Sequence, residues 1–110
     1  MAKLYFDKMN SLLKEIKIES DVSLQLEVKH FFSGSALYAN KTMFASWSPV
    51  GLAFKLPEAE VLKLINNGEA KELKYFPKGH VKKGYALFES PDNKEPKHWK
   101  QYFIKASKQV

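Results

Sequence analysis

Along residues 2–17 the apolar positions Leu4, Tyr5, Met9, Leu12, Leu13 and Ile16 recur at spacings of one, three and four. That rhythm lays one apolar stripe along a helix, with Lys3, Lys8, Lys14 and Glu15 on the other side. Glu19-Ser20-Asp21 breaks the pattern. From Val22 the period changes to two. Val22, Leu24, Leu26, Val28, His30 and Phe32 point one way, while Ser23, Gln25, Glu27 and Lys29 point the other. This predicts a strand with one covered face. His30 falls on the apolar side near the strand end, where a hydrogen-bonded imidazole at the sheet margin is the expectation. Ser33-Gly34-Ser35 reads as a turn or bulge. Strands over 36–39 and 42–47 follow, joined by Asn40-Lys41, a two-residue connection in which Asn tolerates positive φ. Pro49 and Gly51 mark a second turn, and 52–56 is the next strand. The aromatic-rich run 29–47 is therefore expected in the middle of an antiparallel meander, where most of its rings pack.

Residues 57–68 predict a short helix. Pro57 suits its start, Glu58 and Glu60 suit its positive end, and Gly68 follows as a terminator. Val61, Leu62, Leu64 and Ile65 are its expected apolar side. Residues 70–90 read as a hairpin, with Leu73, Tyr75 and Phe76 on one arm and Tyr85, Leu87 and Phe88 on the other. Between the arms lies the most basic local run, with Lys78, His80, Lys82 and Lys83. A polar connection over 90–96 leads to a last helix starting near Glu95 or Pro96. Trp99, Tyr102, Phe103 and Ala106 form its buried stripe, and Lys97, Lys100, Lys105 and Lys108 face outward. The predicted fold is α+β in two layers. An antiparallel sheet of about five strands carries the helices on one face, in a single domain spanning residues 1–110.

The chain has 110 residues, 45% hydrophobic and 27% charged, within the globular range. The absence of cysteine removes disulfides and thiolate chemistry and fits a reducing cytoplasm. The charged N-terminal segment lacks the apolar stretch of a signal peptide, and no run approaches the length of a membrane span. Net charge is +6, and all 18 basic residues are lysine. A basic balance favours nucleic-acid or acidic-protein partners. The missing arginine removes the guanidinium fork that specific base readout uses most.

Catalytic patterns are sparse. Ser11-Leu12-Leu13-Lys14 fits Ser-x-x-Lys formally, but it sits in an amphipathic surface helix. No nucleophile elbow or phosphate-binding glycine loop occurs, and His30, His80 and His98 are scattered. No enzyme activity, cofactor or metal is expected.

Residues 28–60 resemble the opening of the TfoX N-terminal domain family, also called TfoX/Sxy. That family shows an Arg-x-Met-Phe-Gly-Gly-x-Gly-Leu-Tyr run, a short turn, Met-Phe-Ala and a strand ending in lysine. Phe32, Gly34, Leu37 and Tyr38 match the first run, Met43, Phe44 and Ala45 the second, and Lys55 ends the strand. Residues 82–91 resemble the family's Met-Lys-x-Tyr strand, and Trp99 resembles a tryptophan of its last helix. Phe31, Ser33 and Ala36 stand where the family prefers Met, Gly and Gly, and Lys29-His30 replaces the usual arginine. The YjbR/MmcQ group, described as having a double-wing, DNA-binding-like fold, is a more distant look-alike. Longer TfoX-type members add a second domain and regulate DNA-uptake competence alongside a transcription activator.

The resemblance implies a non-enzymatic, regulatory protein-interaction domain whose partner is another protein, a homodimer being one form of this. The alternative is weak, sequence-nonspecific nucleic-acid binding through Lys78, His80, Lys82 and Lys83 together with Lys97 and Lys100, extended by Lys105 and Lys108. Phe31, Tyr38, Phe44 and Trp47 would line a small-ligand pocket if they shared one face. Period-two strands instead divide such a set between core and surface.

Overall fold

The computed structural model describes residues 2–18, 25–31, 34–74 and 79–109. Three helices and six strands follow in the order α1 (Ala2–Ile16), β1 (Leu26–Phe31), β2 (Gly34–Ala39), β3 (Thr42–Ser48), β4 (Gly51–Lys55), α2 (Glu58–Asn66), β5 (Lys71–Leu73), β6 (Lys82–Phe88) and α3 (Pro96–Ser107). The strands form one antiparallel sheet in the order β1-β2-β3-β4-β6-β5. Six strands replace the five expected. β5 and β6 are the two arms of the expected hairpin, and β5 is only three residues long.

The meander turns form as their chemistry dictates. Asn40 and Lys41 carry φ of 52° and 68°, the paired positive values of a tight hairpin turn. The register slips between Leu37/Tyr38 and Met43/Ala45, so Phe44 is an extra residue on β3. This bulge turns both Phe44 and Ala45 into the main core.

All three helices share that core with one face of the sheet. Met9, Leu12, Leu13 and Ile16 of α1, Val61 and Leu64 of α2, and Trp99, Tyr102, Phe103 and Ala106 of α3 close over Leu37, Trp47, Leu52, Phe54 and Phe88. Phe54 is the hub. Its ring lies 4.8 Å from Phe103, 5.6 Å from Tyr102 and 6.1 Å from both Trp99 and Phe88. Such offset and edge-on pairs add to the area that each ring buries. The Trp99 indole N–H donates to the Pro91 carbonyl at 3.1 Å, and Ser35 Oγ donates to the Tyr5 carbonyl at 2.8 Å, fixing α1 over β2. His30 faces the same side, stacked on Phe6 of α1 with ring centroids 4.6 Å apart.

The opposite face carries a smaller cluster of Ala53, Leu73, Tyr85 and Leu87, flanked by Met43 and Val50. Tyr85 crosses β4, and its hydroxyl donates to the Met43 carbonyl at 3.0 Å. Phe44 and Trp47 lie in the helix-side core while Tyr38 lies on the other face beneath Lys29, so the four aromatics do not share a pocket.

Two apolar residues depart from their expected stripes. Leu4 and Leu62 are 52% and 54% exposed. Val22, Leu24, Phe32, Ser33, Tyr75, Phe76 and Lys78, named above, fall outside the described residues. No helix among the described residues is long and apolar enough to cross a membrane.

Candidate functional site

Helix α2 is set by its ends. Pro57 stands at its N-cap, and Glu58 and Glu60 occupy the first turn, where carboxylates favour the positive end of the helix. Gly68, with φ of 76°, ends it and leads into β5. At about 100° per residue, Val61 and Leu64 face the core while Leu62 is turned toward the flank. Glu58, Leu62 and Ile65 stand at i, i+4 and i+7, one row along that flank.

Strand β6 approaches the same flank. Leu56 N–H donates to the Gly84 carbonyl at 3.0 Å, tying the entry of α2 to β6. The β5–β6 register jumps from Glu72↔Ala86 to Leu73↔Lys82, so residues 83–85 bow away from β5 while Tyr85 stays paired with Lys55 of β4. Gly84, with φ of 83°, accommodates the bow.

The result is a groove of about 600 Å³ between α2 and β6. Val61, Leu62, Ile65, Val81 and Tyr85 supply its apolar surface. Glu58, Glu72, Lys82 and Lys83 edge it, all exposed. The Lys82 ammonium sits 5.3 Å from the Tyr85 ring centroid, within cation–π reach.

Of the residues the sequence marks as contacts, Lys82 and Lys83 belong to this groove. His80 is exposed just before β6. Lys97 and Lys100 lie on α3 with Trp99, against which Phe88 packs at the far end of β6. The two lysine groups are carried by different elements, β6 and α3. The residues that carry the TfoX-like resemblance and are described lie within the sheet and α3. Gly34, Leu37, Phe44, Ala45 and Trp99 are buried, and Tyr38, Met43 and Lys55 are half-buried in the sheet. The rest of the groove lining, Leu62, Glu58 and Glu72 among it, is not marked as a site in the sequence. The signal was present: four large apolar residues, Val61, Leu62, Leu64 and Ile65, on nine-residue α2 exceed what one buried stripe needs.

Elsewhere, Tyr102 faces the junction of α2 and α3. Burial, then the Glu69 and Glu60 carboxylates, push its hydroxyl pKa above the ordinary value. Glu60 also pairs with Lys105 at 3.4 Å. A second cleft, of about 440 Å³, lies between α1 and the start of α3 and is crossed by the Lys8–Asp92 ion pair at 3.1 Å. Among the described residues, no group of three or more His, Asp or Glu side chains is placed to hold a metal ion.

Comparison with family models, with curated proteins and with solved structures returns no match.

Proposed function

We propose that this chain is a non-enzymatic protein-interaction domain, and that it receives a protein partner in the groove between α2 and β6. The observation that carries this reading is Leu62. A large apolar side chain more than half exposed, in line with Ile65 and bordered by charges of both signs, is the composition of an interaction patch rather than of a solvated helix face. The resemblance to the TfoX N-terminal domain supplies a regulatory setting for such a contact. Nucleic-acid binding is the competing reading. Glu58 and Glu72 border the same groove as Lys82 and Lys83, and their carboxylates weigh against it because they repel phosphates.

The test is retention on the immobilised domain, comparing wild type with Leu62→Asp. The proposal expects specific protein retained by wild type and lost from the variant. Equal retention by both would overturn it. Duplex DNA that binds at low salt and dissociates at moderate salt, with no change in Leu62→Asp, would favour the competing reading.

A further inference from the structure

We infer that the occupant of the α2–β6 groove is a second copy of this chain, related by a two-fold axis. This inference rests on the interaction reading above and names its partner. The whole chain carries +6, so two copies repel across most orientations. The groove edge is different. Glu58 and Glu72 offset Lys82 and Lys83, and all four side chains border the same groove. A two-fold interface sets one patch against itself, so residue i meets residue j and j meets i. Such a patch must be neutral in sum, carry both signs away from the axis, and place apolar surface near the axis, where a residue meets its own copy.

The row Glu58–Leu62–Ile65 meets this description, with leucine between the charged end and a second apolar residue. Leu62 then packs on its counterpart, and the acids of each copy approach the lysines of the other. Leu4, the other exposed leucine among the described residues, borders a cleft where Lys8 and Asp92 already pair with each other, which leaves Asp7 and Glu15 against Lys94 alone.

Sedimentation of the full chain over the micromolar to millimolar range tests this, alongside three variants checked by circular dichroism. Wild type should shift from one-chain to two-chain mass. Leu62→Asp should weaken association about tenfold or more, since a carboxylate would meet its own copy at the axis. Lys82→Glu with Lys83→Glu makes the edge wholly acidic, and Glu58→Lys with Glu72→Lys makes it wholly basic. Each should be monomeric alone, and an equimolar mixture should recover the two-chain species. That recovery excludes misfolding as the cause of the separate losses. One-chain mass for wild type throughout the range would overturn the inference. So would a dimer indifferent to Leu62→Asp and to both charge reversals. A monomeric wild type that retains another protein through Leu62 would end the self-association and leave the interaction reading standing.

Discussion

Gly34 and Gly68 are both glycine for reasons that make opposite demands, and replacing each by alanine separates them. A Cβ built on Gly34 would lie 2.3 Å from the Trp47 carbonyl oxygen and 2.6 Å from Ser48 Cα. Ordinary van der Waals contact begins near 3.4 Å, so β2 and β3 would have to part by about 1 Å. The obstacle is main chain in the centre of the meander and has no rotamer to change. Forced overpacking costs about 1–3 kcal/mol, and a backbone obstacle places Gly34→Ala at the upper end, about 3 kcal/mol. At Gly68 a Cβ would meet nothing within 4 Å, and the cost lies in the φ of 76°. The left-handed conformation costs alanine about 1–2 kcal/mol, of which about 0.4–1 is returned by the stiffer unfolded chain. The net for Gly68→Ala is about 0–1.6 kcal/mol, below the cost at Gly34. Urea unfolding followed by circular dichroism measures both, with an unchanged slope showing that each variant unfolds to the same state. A Gly34→Ala cost no larger than that of Gly68→Ala would refute the close β2–β3 approach and the packing built on it.

Tyr85→Phe removes the hydroxyl that spans β4 to the Met43 carbonyl and should cost about 1–2 kcal/mol in the same assay. Lys41→Gly should stabilise by about 0.5–1 kcal/mol, because Lys41 holds a φ of 68° that glycine adopts freely. Tyr102 has its pKa raised by burial and by Glu69 and Glu60. The folded protein therefore holds this proton more tightly than the unfolded chain does. The resulting stability is present below pH 10, the ordinary tyrosine range, and is lost as pH rises through the folded value. Stability followed from pH 8 upward should fall more steeply in wild type than in Tyr102→Phe.

Much of this architecture is legible in the residues. The α3 stripe of Trp99, Tyr102, Phe103 and Ala106 is buried as its spacing dictates, because aromatic residues at three- and four-residue intervals have one stable disposition. Asn40-Lys41 forms the hairpin turn that its composition announces. What escapes is tertiary. Phe44 enters the helix-side core only because a bulge on β3 changes its face, and no local pattern marks that residue as the extra one. Leu62 looks like a core residue in sequence, since hydrophobicity does not encode which flank of α2 meets the sheet. The groove arises from the bow at 83–85, a register effect set by strand pairing. The lysines of β6 and α3 read as one group in a linear chain, while the carboxylates of Glu58 and Glu72 that border Lys82 and Lys83 come from other elements.

The claim that the α2–β6 groove is an interface is tested most directly by a photo-reactive amino acid at position 62, irradiated in living cells, with Gln101 on the exposed side of α3 as the control site. The account predicts a discrete protein adduct from position 62, lost when Lys82 and Lys83 are reversed in charge, and no such adduct from position 101. Adducts of equal yield and identity from both positions, or none from position 62, would contradict it.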